Sequence, residues 1–181
     1  MKYLLTNEET ARLKFRLLEE SDFDNWEPLF REKNVATFLG LDPQLSSVEL
    51  CQKWFNKVFH RYENDLGGMN VLIDKNTNAF IGQCGLLVQT VNGEERLEVG
   101  YSMLPQYWGM GYASEAAIKC KEYAFEHDFT DSLISVVHVD NIGSEKVALK
   151  NGMQLAMHLD DYDGMPVNIF EIDRAQYLKT R

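Results

Sequence analysis

The residues with the most chemical content lie in one stretch. Leu97-Glu-Val-Gly-Tyr-Ser-Met-Leu-Pro-Gln-Tyr-Trp-Gly-Met-Gly-Tyr-Ala113 reads as a strand, a turn carrying Gly109 and Gly111, and the start of a helix. Glycine at both positions removes side chains where backbone N–H groups converge, and the helix behind them adds partial positive charge. Such a turn can cradle a phosphate or pyrophosphate. The same residues also suit a tight turn with no ligand. A dinucleotide fingerprint needs a third glycine where Ser114 stands, no GxxxxGK[ST] loop occurs, and no kinase catalytic loop follows. The common ATP and NAD sites are therefore excluded.

Other reactive side chains point to less. His127 falls on an apolar helix face and His138 in a strand, positions where a lone histidine is expected to be a hydrogen-bonded core residue. No HExxH or other two-histidine spacing is present, so no catalytic metal is expected. Cys51, Cys84 and Cys120 are widely spaced, odd in number and without a CxxC pair, which predicts buried thiols in a reducing compartment.

The elements that must position these residues follow from periodicity. Arg12 to Leu18 alternates as a strand, and Glu20-Ser21-Asp22 opens a helical pattern through Phe23, Trp26, Leu29 and Phe30 that Pro28 should break in two. Ser46 and Glu49 form a capping box before a stripe of Val48, Cys51, Trp54, Phe55, Val58, Phe59 and Tyr62. That stripe is expected to be mainly core, its exposed edge walling a pocket with Trp26 and Phe38. Met69 to Ile73, Ala79 to Thr90 and Glu95 to Leu104 read as an antiparallel meander. After Gly111 a helix places Ala113, Ala116, Ala117, Cys120, Tyr123, Ala124 and His127 on one face, with Glu115 and Lys119 paired on another. Ser132 to Val139 is a strand, Ser144 to Lys150 a helix, and Asp163-Gly164 turns a closing hairpin of Gln154 to Tyr162 and Val167 to Ile172. The order β-α-α-β-β-β-α-β-α-β-β predicts a mixed α/β sheet.

Composition sets the frame. With 181 residues, 45% apolar, 25% charged and no linker, repeat or low-complexity tract, one domain spanning residues 1–181 is expected. A formal charge of −10 argues against a nucleic-acid coat, tolerates a cationic acceptor, and otherwise serves solubility. The N-terminus lacks a signal-peptide core and no 18-residue apolar run occurs, which predicts no membrane span and a cytoplasmic protein.

Two segments carry a family resemblance covering about residues 10 to 173. Gln106-Tyr-Trp-Gly109-Met-Gly111-Tyr-Ala113 resembles the Q/R-x-x-G-x-G/A loop with which the GNAT superfamily of N-acetyltransferases grips the pyrophosphate of acetyl-coenzyme A. Asn141-Ile-Gly-Ser144-Glu-Lys-Val-Ala-Leu-Lys150-Asn-Gly152-Met153 resembles the superfamily's N-x-x-S-x-x-V-x-x-K-x-G-F segment, with Met153 in place of Phe. Glu98-Val-Gly-Tyr101 before Leu104-Pro105, and Tyr107-Trp108-Gly109, are similar to the RimJ/RimL type that acetylates ribosomal-protein N-termini.

The resemblance implies a mostly antiparallel central sheet flanked by helices and splayed at the strand before the pyrophosphate loop. It implies acetyl-coenzyme A as acyl donor, held by Met103, Leu104, Gln106, Trp108, Gly109, Met110, Gly111, Tyr112, Ala113, Ser114, Asn141 and Ser144. Open backbone groups near Met103 and Leu104 would pair with the pantetheine arm and hold the developing oxyanion. Asn141 would cap its helix and touch coenzyme A, and Ser144 would protonate the departing thiolate or simply occupy a helix first turn. The implied reaction is direct attack by an amine in a ternary complex. At pH 7 a lysine amine is neutral in about one molecule in 2,500 and an α-amine in roughly one in ten, so an α-amine starts about 3 kcal/mol ahead. Glu98 is the candidate base, directly or through water; its alternative is a carboxylate that orients an arginine or a loop. The implied acceptor is a peptide N-terminus or a small amine, on a monomer or homodimer. A catalytically silent coenzyme A sensor of the same fold, or an enzyme for another acyl donor, would share these motifs.

Overall fold

The computed structural model describes residues 2–181. The chain begins with β1 (Leu13–Arg16), then short helices α1 (Phe23–Trp26) and α2 (Val35–Phe38), then the long α3 (Ser47–Glu63). A meander follows of β2 (Gly67–Asp74), β3 (Phe80–Val91) and β4 (Glu94–Met103), then α4 (Tyr112–Glu126), β5 (Ser132–His138) and α5 (Ile142–Lys150). The hairpin β6 (Gln154–Tyr162) and β7 (Met165–Asp173) and a last helix, α6 (Arg174–Lys179), complete it. The sheet order is β1-β2-β3-β4-β5-β7-β6, a mixed sheet with helices on it and one parallel contact, β4 on β5. No helix among the described residues is long and apolar enough to cross a membrane.

Local chemistry explains the elements. Asn92-Gly93 and Asp163-Gly164 have φ of 50° and 80°, and of 50° and 85°, the paired positive values of the two-residue turn whose twist matches a hairpin. Ser46 Oγ accepts from the Glu49 N–H at 3.2 Å while Glu49 Oε2 accepts from the Ser46 N–H at 2.9 Å, which fixes the start of α3. Pro28 has no N–H to give, and the chain passes from α1 into a 3₁₀ turn, Glu27–Arg31, rather than a second α-helix. The hairpin's last strand leads into α6, which the sequence pattern left unassigned; an Asp173–Gln176 capping box starts it.

Four expectations are corrected by packing. Val48, at the rim of the predicted stripe in the first turn of α3, is exposed, and Leu50 turns inward with Cys51, Phe55 and Val58. Trp26 is fully buried against Trp54, with ring centroids 5.9 Å apart, so it belongs to the core rather than to a pocket wall. His127 caps the end of α4 in solvent, its Nδ1 2.9 Å from the Tyr123 carbonyl. Glu115 and Lys119 do not pair with each other. Glu115 takes the Thr10 hydroxyl at 2.5 Å and the Arg12 Nε at 2.6 Å, and Lys119 takes Glu8 at 2.6 Å. A surface i,i+4 pair contributes only about 0.2–0.5 kcal/mol, and charge-assisted bonds in a partly buried setting outweigh it.

The sheet is joined firmly at one end only. β3 and β4 pair over ten residues, Gly82↔Met103 through Val91↔Glu94, and β5 and β7 over seven. Between these blocks β4 and β5 pair only at Leu97↔Leu133 and Glu98↔Ile134. Arg96 clamps that end, donating to Ser132 Oγ at 3.1 Å and to Glu171 Oε1 at 2.5 Å. Past Glu98, Val99–Met103 and Ser135–His138 run on without pairing to each other, which opens a wedge toward α4 and α5.

Candidate active site

The wedge brings two surfaces together: a turn of bare main chain and a cavity lined by side chains. At the turn, Gly109 and Gly111 take φ of +73° and +81°, which disfavour any residue with a Cβ. A Cβ on Gly109 would meet nothing within 4 Å, so that glycine serves backbone conformation and clearance rather than packing. Among the described residues the amides of Gly109 and of Gly111 through Ser114 donate to no protein acceptor, and the first helical bond is Glu115 N–H to Gly111 C=O at 3.0 Å. Five open N–H groups at a 15-residue helix's start are donors that an anion could take up.

The turn's side chains hold it in place. Arg12 donates from Nη1 to the Met110 carbonyl at 3.0 Å, lies 4.1 Å from the Tyr112 ring centroid, and is itself anchored by Glu115. Tyr112 donates its hydroxyl to Asp74 at 3.0 Å, so only its amide faces the open side. Met110 and Trp108 are both about half exposed, at 54% and 52%. Gln106 is exposed and lines a separate groove with Arg16, Asp24 and Phe80. Ala113 and Ser114 sit half-buried in the first turn of α4.

Two expected open groups on β4 are taken. The Leu104 N–H donates to the Ile81 carbonyl at 3.0 Å, and the Met103 carbonyl accepts the Trp108 indole N–H at 2.8 Å. Both side chains are buried, at 4% and 5% exposure. Strand alternation explains the difference. Leu104 turns its amide toward β3, whereas Val99, Tyr101 and Met103 turn theirs into the wedge. The Val99 carbonyl there accepts from Ser135 Oγ at 2.8 Å, so the wedge-facing edge available to an added strand centres on Tyr101.

The cavity occupies about 190 Å³ between α2, α3, the two diverging strands and the tip of the β6–β7 hairpin. Glu98 lies in its wall, 8% exposed. Its Oε2 accepts from Gln89 Nε2 at 2.6 Å and its Oε1 from the Val136 N–H at 3.3 Å. Burial pushes the Glu98 carboxyl above the usual carboxylate range, while these donors and the nearby Arg61 and Lys57 pull it back. Glu98 touches no arginine; Arg61 reaches it through Gln89, donating from Nη2 to Gln89 Oε1 at 3.0 Å.

On the opposite wall Asn141 Oδ1 accepts from the Ser144 N–H at 3.2 Å, capping α5. The Ser144 carbonyl accepts the Tyr101 hydroxyl at 2.7 Å. Burial raises the Tyr101 phenol, with the Ser144 and Ser135 hydroxyls working against that rise. Both Asn141 and Ser144 line the cavity with Glu98, so the two expected catalytic side chains share one space. Phe38 and Trp54 also line it, Phe38 packed on His138 at 5.1 Å between ring centroids. Lys57, Arg61, Gln89 and Tyr101 were not singled out as site residues from sequence. They come from three elements, and only the fold brings them together. Gly100 in the floor keeps the space clear, since a Cβ there would come 2.6 Å from Leu87 Cδ1.

No thiol joins the site. Cys51, Cys84 and Cys120 are free and buried, and burial pushes the Cys51 thiol up to about 12. No metal-binding group of His, Cys, Asp and Glu occurs among the described residues.

Known proteins share this architecture. The family described as "Acetyltransferase (GNAT) domain" matches residues 12–154. An uncharacterized Bacillus subtilis (strain 168) protein, YkkB, is 29% identical over 166 residues, 90% of this chain and 92% of its own length. The solved spermidine N-acetyltransferase from Vibrio cholerae in complex with CoA and spermine superposes with a TM-score of 0.71 at 19% identity, covering 93% of this chain and 99% of that one. The RimL ribosomal L7/L12 α-N-protein acetyltransferase in complex with coenzyme A does so with a TM-score of 0.70 at 20% identity, covering 92% and 97%.

Proposed function

The chain belongs to the acetyltransferase (GNAT) domain family, and from that premise we propose that it moves an acetyl group from acetyl-coenzyme A to a primary amine by direct attack. The observation that carries this reading is continuity. The open amides of Gly109 and Gly111–Ser114 lead along the unpaired Val99–Met103 edge into a cavity that holds a buried carboxylate, Glu98. The turn amides fit a diphosphate, and the Tyr101 main chain and its neighbours fit the amides of a pantetheine arm. When bound, acetyl-coenzyme A supplies the activated acyl group.

The chain's own residues do the rest. Glu98 accepts a proton from the attacking amine, and a carboxyl raised by burial is a stronger base for that step than an exposed one. Ser144, near Tyr101 across the cavity, is positioned to deliver a proton to the leaving sulfur. The wedge-facing Met103 N–H, whose own carbonyl is tied to Trp108, is the donor suited to a developing oxyanion. A thiol pushed up to about 12 cannot serve as an acyl carrier at neutral pH, which supports one ternary complex over a covalent enzyme intermediate. The two structural neighbours named for their acceptors differ, one a polyamine and one a protein N-terminus, so the acceptor rests on the cavity itself. Three buried free cysteines are consistent with residence in a reducing cytoplasm.

The test is thiol release from acetyl-coenzyme A against amino acids, N-terminal peptides, polyamines and aminoglycosides. Acetylation of at least one primary amine, lost in Glu98→Gln with coenzyme binding intact, is the expected result. Tight coenzyme binding with no transfer to any amine would instead support a coenzyme A sensor.

A further inference from the structure

Two cationic side chains line the cavity beside Glu98. Lys57 and Arg61, one turn apart on α3, both line it in a chain of net charge −10. Arg61 spends its donors on the Leu66 and Val88 carbonyls, at 3.2 and 2.9 Å, and on Gln89 Oε1 at 3.0 Å. It contacts no carboxylate among the described residues. Among the described residues Lys57 makes no hydrogen bond or ion pair. By contrast Arg12, Arg16 and Arg96 each hold a carboxylate, at 2.6, 2.7 and 2.5 Å.

The two carboxylates near Lys57 do not complete it. Glu98 accepts from Gln89 and the Val136 amide and makes no ion pair with Lys57, which leaves one lone pair on each oxygen for an amine. Asp163 stands exposed at the hairpin tip beside Tyr162 and Met165, at the cavity's mouth. Lys57 is exposed yet lines the cavity with its ammonium unpaired, and an anionic ligand group that enters the cavity gains a charge-assisted bond there.

We propose, on the acetyl-transfer reading of this site, that the acceptor is a small amine that also carries a carboxylate, its nitrogen at Glu98 and its carboxylate at Lys57. Size agrees. About 190 Å³ is below the roughly 300–1,000 Å³ of pockets for drug-sized ligands and suits a molecule the size of an amino acid. A polyamine would set its second ammonium against Lys57 and Arg61, and the like charges would repel it. A peptide N-terminus offers a neutral carbonyl where the free acid offers an anion.

The experiment compares kcat/KM for free amino acids, their carboxamides and spermidine, with acetyl-coenzyme A saturating. The carboxamides have the less basic amines, so proton availability works against the acids. At least one amino acid should exceed its carboxamide about tenfold or more, the range expected of a charge-assisted contact. Lys57→Met should collapse that ratio through KM of the acid, with the carboxamide little changed, and Lys57→Arg should restore part of it. A carboxamide or spermidine matching or exceeding every acid, or a ratio that survives Lys57→Met, overturns the proposal and leaves acetyl transfer standing. Silence toward all amines overturns both.

Discussion

The turn at 109–114 and the cavity between β4 and β5 do opposite things with the same chain. At the turn the side chains are tied away, Arg12 on the Met110 carbonyl and Tyr112 on Asp74, and the backbone faces outward with free N–H groups. In the cavity the backbone is largely committed to the sheet, and side chains from α2, α3, six strands and α5 line the space. On the proposed function, the surface of main chain would recognise what every coenzyme A molecule shares, the diphosphate. A surface of side chains can be altered one residue at a time, and on the same proposal it is where an acceptor would be chosen. Substitutions should therefore separate cleanly into those that weaken the coenzyme and those that slow or redirect transfer.

The sharpest separation is expected at Glu98. Glu98→Gln should reduce kcat by about 100-fold or more, as loss of a general base does, with coenzyme affinity within about twofold by calorimetry. A kcat within about threefold of the parent would return Glu98 to a purely structural role. The same variant tests its buried state. Because burial raises the folded pKa, protonation favours the folded form, so the parent loses stability relative to Glu98→Gln as pH rises from about 4.5 through the folded value. Thermal melts across pH 4 to 8, as a rough span around that range, should show Glu98→Gln gaining on the parent; parallel curves would contradict the shift.

On the main-chain side, Gly111→Val should weaken coenzyme A binding by about 10- to 100-fold. A β-branched residue at φ +81° costs on the order of 1–3 kcal/mol and disturbs the amides around it. Acceptor preference among amines should not change. Ser144→Ala is expected to lower kcat by about tenfold with coenzyme affinity nearly unchanged, the smaller effect reflecting a thiolate that leaves readily by itself. Asn141→Ala should cost about 1 kcal/mol of stability, the usual value of a lost helix cap, measured by urea denaturation. Loss of coenzyme affinity beyond that cost would extend the main-chain surface to α5.

The two surfaces were unequally legible in the sequence. Gly109 and Gly111 announce the turn because a positive φ and a bare backbone leave a residue-type signature at fixed spacing. Asn141 and Ser144 were legible through the family segment that they sit in, and the structure shows the cap as Asn141 Oδ1 accepting from the Ser144 N–H. The meander and the closing hairpin were readable from alternation and from Asn92-Gly93 and Asp163-Gly164. The cavity was not readable, since Lys57 and Gln89 look like ordinary surface residues until α3 packs on the sheet and the β3–β4 register sets Gln89 beside Glu98. Leu104 failed in the other direction: the position was right but the parity was not, and its amide belongs to β3. Glu115 and Lys119 show tertiary partners overriding a local pairing rule.

Amide hydrogen exchange with and without coenzyme A tests the central claim most directly. Protection should rise at 109–114 and along 99–103, with little change on β6 and β7 beyond their shared tip. Binding accompanied by protection elsewhere, with the 109–114 amides exchanging as fast as in the free protein, would contradict a main-chain grip on the diphosphate.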